Sequence, residues 1–173
     1  MEVLITFYSR CGNTEKLALA AAVGAVQARA QIRFRRLADI GNVAEPESAE
    51  CRKILERMQK EYIAPKEADV LRADAIIFVA PLHFSSVSPE WTEHLDLIEE
   101  LRSAGKLEGK VAGAIQSDAG MDALATTILR SGFIVVPPAL VQATGDSDDN
   151  AARALAHGKK IAEVAKALKR EIV

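Results

Sequence analysis

Ser9-Arg10-Cys11-Gly12-Asn13-Thr14 gathers two hydroxyls, an amide, a thiol and a glycine between an apolar run and an Ala- and Leu-rich stretch. A loop that ends on a helix start leaves backbone N–H groups without intrahelical acceptors, and the helix dipole adds to their positive potential. That combination suits an anion, and above all a phosphate, with the glycine letting backbone come close. The competing reading is a tight turn in which Asn13 or Thr14 merely caps the following helix. Other phosphate chemistries fail on spacing, since neither G-x-x-x-x-G-K-[ST] nor G-x-G-x-x-G occurs. Leu17 stands where a cysteine-dependent phosphatase needs an arginine, and Tyr8-Ser9 and Ala80-Pro81 stand where a receiver domain needs acids.

A second loop, Pro81-Leu82-His83-Phe84-Ser85-Ser86-Val87-Ser88, mixes flat rings with hydroxyl and N–H donors. A flavin needs such a mixture: an apolar wall beside the ring and polar partners for its pyrimidine edge. The plain alternative puts Phe84 in the core and His83 in solvent. A third loop, Gln116-Ser117-Asp118-Ala119-Gly120, is another strand exit with polar side chains and one glycine. The remaining reactive residues read as structural. Cys51 falls on the apolar face of a helix, and Cys11, beside Arg10 and a helix start, has no identifiable partner histidine. Two cysteines are too few for a disulfide framework or a zinc site. His94 and His157 lie on helices without ligand-spaced companions, and Asp146, Asp148 and Asp149 precede the last helix, where acids cap and oppose the dipole. No metal is expected, and no residue is assigned as a catalytic acid or base.

These loops need elements to hold them. Val3 to Tyr8, Ala75 to Ala80, Val111 to Ile115 and Phe133 to Val136 are short, uniformly apolar runs, the pattern of parallel strands buried on both faces. Gln31 to Leu37 alternates Ile32 and Phe34 with Arg33 and Arg35, as a half-exposed edge strand does. Between them, Thr14–Ala28, Glu47–Lys60, Glu90–Leu101, Met121–Arg130 and Asn150–Arg170 carry helical spacing, with Gly132 placed to end the fourth. The predicted fold is a doubly wound α/β three-layer sandwich over residues 1–173, one domain with a five-stranded parallel sheet in the order 2-1-3-4-5. Ligands bind such sheets at the strands' carboxyl ends, where the three loops lie.

With 173 residues and a formal charge of -2, the chain gives no electrostatic case for nucleic acid or an anionic membrane. No apolar stretch approaches the roughly 20 residues a membrane span needs, and Met1-Glu2 lead straight into a strand-like run, so a cytoplasmic location is expected.

In this order the three loops resemble the flavodoxin-like superfamily, with Tyr8 to Thr14 similar to its phosphate loop down to the Gly-Asn-Thr ending. A closer likeness is to the NAD(P)H:quinone oxidoreductases of the Trp-repressor-binding type. It is carried by Asp74-Ala75-Ile76-Ile77-Phe78, then Pro81, Phe84, Ser88 and Asp96, and by Ala152-Arg153, Gly158 and the Ala162 to Leu168 tail. The likeness is weakest over Ala38–Lys66 and Asp118–Arg130. It implies FMN, with Ser9, Arg10, Cys11, Gly12, Asn13 and Thr14 at its phosphate, Cys11 entering through its backbone N–H. Pro81, Leu82, His83, Phe84 and Ser85 would line the isoalloxazine, with Ser117, Asp118 and Gly120 closing the other side. It also implies NADH or NADPH as donor and a quinone or similar acceptor, and is compatible with a dimer or tetramer. The alternative function is a one-electron carrier of the flavodoxin kind. Two departures from the pattern stand out: only Gly120 precedes Met121 where these oxidoreductases have a longer glycine-rich loop, and the Gly-Asn pair after the aromatic is missing.

Overall fold

Alternate residues of the first strand go to opposite cores, as the pleat requires: Val3, Ile5 and Phe7 to one, Leu4 and Tyr8 to the other. Both faces are therefore apolar, and helices must cover each of them. The computed structural model describes residues 1–41, 46, 48–80, 88–117, 121–142 and 147–171, with backbone alone at 121–123 and 170–171. Its elements run β1 (Glu2–Phe7), α1 (Asn13–Gln27), β2 (Gln31–Arg36), α2 (Ala49–Glu61), α3 (Glu67–Arg72), β3 (Ala75–Val79) and α4 (Pro89–Ser103). They continue through β4 (Val111–Ser117), α5 (Met121–Arg130), β5 (Ile134–Val135), β6 (Ala139–Val141) and α6 (Ser147–Glu171).

The sheet is parallel in the order β2-β1-β3-β4-β5, the doubly wound order expected. Among the described residues it has six strands rather than five, because β6 also pairs with β4. β5 lies against Val111 and Ala112, whereas β6 lies against Ile115, Gln116 and Ser117. The two thus share one column of the sheet, broken at Pro137-Pro138, where proline has no N–H to give the ladder.

At the edge, Arg33 and Arg35 of β2 are tied to Asp69 at 3.1 and 2.9 Å, and Arg33 also to Glu2. Charges on an edge strand discourage pairing with another chain. Asp69 belongs to α3, an element of six residues absent from the sequence reading because so short a helix shows no period. α2 starts at Ala49, two residues later than expected, because Ser48 caps it by accepting the N–H groups of Glu50 and Cys51. α6 starts at Ser147, three residues earlier than expected, so Asp148 and Asp149 stand inside its first turn. Asn150, expected to open that helix, holds the backbone of Gln142 through two hydrogen bonds of 3.0 and 2.8 Å.

The closest helix pair is α1 against α6, both on the Val3–Ile5–Phe7 face. Glycine makes that approach feasible: a Cβ on Gly24 would stand 1.9 Å from the carbonyl oxygen of Leu155, and one on Gly158 2.1 Å from that of Ala21. No helix among the described residues is long and apolar enough to cross a membrane.

Candidate functional site

β1, β3 and β4 are neighbours in register, with Phe7 beside Val79 and Val79 beside Ile115, so the chain leaves all three strands at one edge of the sheet. From β1 it passes through Tyr8 and the buried Ser9, whose hydroxyl accepts the Gly12 N–H at 3.0 Å. Gly12 is the N-cap of α1 in left-handed backbone, φ 88°, which a side chain would strain. Its carbonyl already accepts Lys16 N–H at 3.0 Å, yet no side chain caps the helix. The expectation that Asn13 or Thr14 caps α1 is thereby corrected: both lie inside its first turn, Asn13 exposed and Thr14 buried. A residue already in helical backbone cannot swing its side chain back to the first N–H groups as a cap does. The opening turn of α1 is left facing the carboxyl edge of the sheet, an anion-binding geometry.

The loop is braced from behind. Arg36, buried at the end of β2, donates from Nε to the Ser9 carbonyl at 3.0 Å and pairs with Asp39 at 2.9 Å. Its guanidinium lies 5.3 Å above the Tyr8 ring. Burial works to raise the Asp39 pKa, but hydrogen bonds from Arg36, Gln59 and Tyr8 overcome it and hold the carboxyl below its usual range. Burial first, and Asp39 second, push the Tyr8 phenol far above its ordinary value, so it remains a neutral donor to Asp39 at 3.0 Å. Glu15, almost fully buried in the first turn of α1, receives Arg57 and the Tyr62 hydroxyl at 2.6 Å each. Its charge, which would otherwise oppose an anion at the helix start, is thereby paired.

Cys11 and Cys51 are joined in a disulfide, with Cα atoms 4.6 Å apart across 40 residues of sequence. This corrects the separate structural roles expected of them. Cys51 is on the inner face of α2, as its spacing implied, at the end of that face that meets the loop, while Leu55 and Met58 further along it reach the apolar core. Ile54, one turn on, shows the same packing: it would stand 3.3 Å from a Cβ on Gly12.

Ser117 ends β4 rather than standing in the following loop, because pairing with β6 carries the strand two residues further than the apolar run suggested. It is 2% exposed, and its Oγ is buried without a hydrogen-bond partner. Buried polar groups are ordinarily hydrogen-bonded, so this hydroxyl stands out among the described residues. Ser88, at the N-cap of α4, has an equally unpartnered Oγ. It was read as the last residue of the second loop but not among the expected site residues, although its place before Pro89 marks a helix start. Arg10 lines a pocket with Asp39, Arg52 and Gln59 beside the loop. Pro81, Leu82, His83, Phe84, Ser85, Asp118 and Gly120 lie outside the described residues. Thus the Ser9–Gly12 loop and the first helical residues Asn13 and Thr14 stand at the sheet edge that Ser117 also reaches.

A parallel sheet in this order, entered by an uncapped helix directly after β1, defines the flavodoxin-like class of α/β proteins. The fold is similar to a flavodoxin, WrbA-like protein from Agrobacterium tumefaciens, with TM-score 0.69 and 20% identity over 95% of this chain and 97% of that one. It is also similar to a flavodoxin from the domain Archaea, with TM-score 0.66 and 17% identity, covering 96% and 99% of the two chains. Within that class the chain belongs to the NADPH-dependent FMN reductase family, whose profile matches residues 4–168. Sequence relatives agree. An NAD(P)H dehydrogenase (quinone) of Archaeoglobus fulgidus is 30% identical, covering 96% of this chain and 98% of the relative. One from Sinorhizobium fredii is also 30% identical, over 78% of this chain and 69% of its own length.

Proposed function

We propose that this chain is an FMN-dependent oxidoreductase that takes electrons from NADH or NADPH and passes two of them to a quinone or similar acceptor. The observation that carries the reading is the start of α1, which presents its first turn to the sheet edge with no side-chain cap and its nearest carboxylate, Glu15, already paired. Ser9, Arg10, Cys11, Gly12, Asn13 and Thr14 would surround the FMN phosphate. In this arrangement Ser9 shapes the turn by accepting the Gly12 N–H, and Thr14 offers a buried hydroxyl one residue into the helix. The Ser117 hydroxyl, buried without a partner among the described residues, suits the polar edge of the ring; Asp118 and Gly120 would join it there, and Pro81, Leu82, His83, Phe84 and Ser85 would line the isoalloxazine. FMN supplies the hydride and electron chemistry, so the protein's tasks are to orient the ring and stabilise charge on it. Family membership and the names of the relatives support this reading, which includes residues 1–173 as one domain in the cytoplasm, where nicotinamide donors are abundant.

Anaerobic titration of the FMN-loaded protein tests it. NADH or NADPH alone is expected to bleach the visible flavin absorbance, and a quinone to restore it with ping-pong kinetics. If neither nicotinamide bleaches the flavin while a one-electron reductant does, the chain is a carrier, and the enzyme reading falls.

A further inference from the structure

We propose that Cys11–Cys51 is a reversible redox site through which a dithiol reductant loosens the phosphate loop's hold on FMN. The inference rests on the FMN reading of that loop. Both sulfurs stand at helix starts: Cys11 immediately precedes the N-cap of α1, and Cys51 is the third residue of α2, its N–H accepted by Ser48. Helix N-termini favour the thiolate. Arg10 and Arg52, each next in sequence to one of the cysteines, line one pocket beside the loop together with Glu56 and Asp39, the latter engaged by Arg36. Stabilised thiolates favour the reduced pair, so this bond is easier to open than one buried in apolar surroundings. In the reducing compartment that a nicotinamide donor implies, the disulfides that do form are exchangeable ones.

Accessibility orders the steps. Cys11 is exposed and Cys51 half-buried, so the reductant's thiolate attacks the Cys11 sulfur. The S–S bond breaks, and Cys51 leaves as a thiolate at the start of α2. The reductant's second thiol then displaces Cys11 from the mixed disulfide. Two electrons pass from the dithiol to the protein, the dithiol's two protons go to solvent, and the reductant ends as its own disulfide; an oxidised dithiol reverses the exchange. When closed, the bond is neutral and ties the loop to α2, whose Ile54 packs against Gly12. When open, an anionic sulfur sits in a loop that must receive a phosphate dianion, and the tie to α2 is gone.

The test uses the full chain and dithiothreitol as the probe. Alkylation under native conditions, read by mass, is expected to label neither cysteine in the oxidised protein and both after dithiothreitol. FMN affinity, followed by flavin fluorescence, should fall by at least about tenfold on reduction, while riboflavin affinity stays level because it has no phosphate to repel. Cys51→Ser, which lacks the bond, should bind FMN as the reduced protein does and ignore dithiothreitol. Free thiols in the oxidised protein, sulfurs that resist native reduction, or equal FMN affinity in the two states would each overturn the proposal. If FMN binds in neither state, the flavin reading itself is lost and the coupling with it, a result distinct from the labelling outcome.

Discussion

Gly24→Ala sets two opposing effects of known sign against each other. In an isolated helix, alanine is more favourable than glycine by about 1 kcal/mol, so propensity alone predicts a more stable protein. The structure predicts the reverse. A Cβ at Gly24 would stand 1.9 Å from the Leu155 carbonyl oxygen, 2.8 Å from its carbon and 2.9 Å from Lys159 N, all of them helix backbone. No rotamer relieves such a contact, so α1 and α6 must separate by about 1 Å before it is even barely tolerable. Separation opens the seam formed by Ala21, Ala25, Ala154, Ile161 and Ala165. Overpacking typically costs about 1–3 kcal/mol, and a rigid backbone neighbour places this site at or beyond the upper end. After the propensity gain, a net loss of about 2 kcal/mol or more remains. For a chain of this length that lowers Tm by roughly 4–8 °C. Urea denaturation of FMN-free protein measures it, with Val23→Ala, 51% exposed on the same helix, as a control expected to stay within about 0.5 kcal/mol. A Gly24→Ala protein as stable as its parent would refute the claim that these helices touch backbone to backbone.

Two further outcomes are expected. Thr14→Ala should weaken FMN binding by about tenfold or more, the worth of one hydrogen bond to a charged group, and leave riboflavin affinity unchanged. Because Gly12 is the N-cap, FMN-free stability should change by less than the roughly 1 kcal/mol a lost cap costs; a destabilised protein with unaltered FMN affinity would favour the capping role instead. The second outcome concerns His94 and His157, which burial pushes down to about 4, Lys160 adding to the effect at His157. The unfolded chain, with histidines near 6.5, therefore binds more protons than the folded one between about pH 6.5 and 4, so stability falls on acidification through that window. Moving from pH 7 to pH 5 should cost about 2 kcal/mol per histidine in urea titrations. The carboxyls of Asp39, Asp69 and Asp74, held below their ordinary values, lose their contribution only at lower pH. A His94 or His157 imidazole titrating near 6.5 by NMR in the folded protein would contradict the assignment.

Local signals carried much of this structure into the sequence. Val3–Tyr8, Ala75–Ala80 and Val111–Ile115 read as buried parallel strands because helices cover both faces, which leaves no polar alternate position to interrupt the run. Gln31–Leu37 read as an edge because one side of it needs charge. The Ser9–Thr14 segment was legible as a candidate anion site because its polar groups lie within six consecutive residues, between a strand and a helix that announce themselves. What lacked a local signal was decided by packing. β6 has three residues after a proline pair and exists only because β4 offers it a partner. The same pairing moved Ser117 from a loop into a buried strand end, where its hydroxyl became an orphan. Gly24 in a helix interior reads as nothing more than a small propensity cost until α6 arrives against it. Cys11 and Cys51, 40 residues apart, are brought together by the register at which α2 docks on the loop. Strand order and the place of the Ser9–Thr14 segment between β1 and α1 followed from residue type and spacing; the disulfide, the glycine seam and the orphaned hydroxyl depend on distances between residues far apart in sequence, which only the folded chain sets.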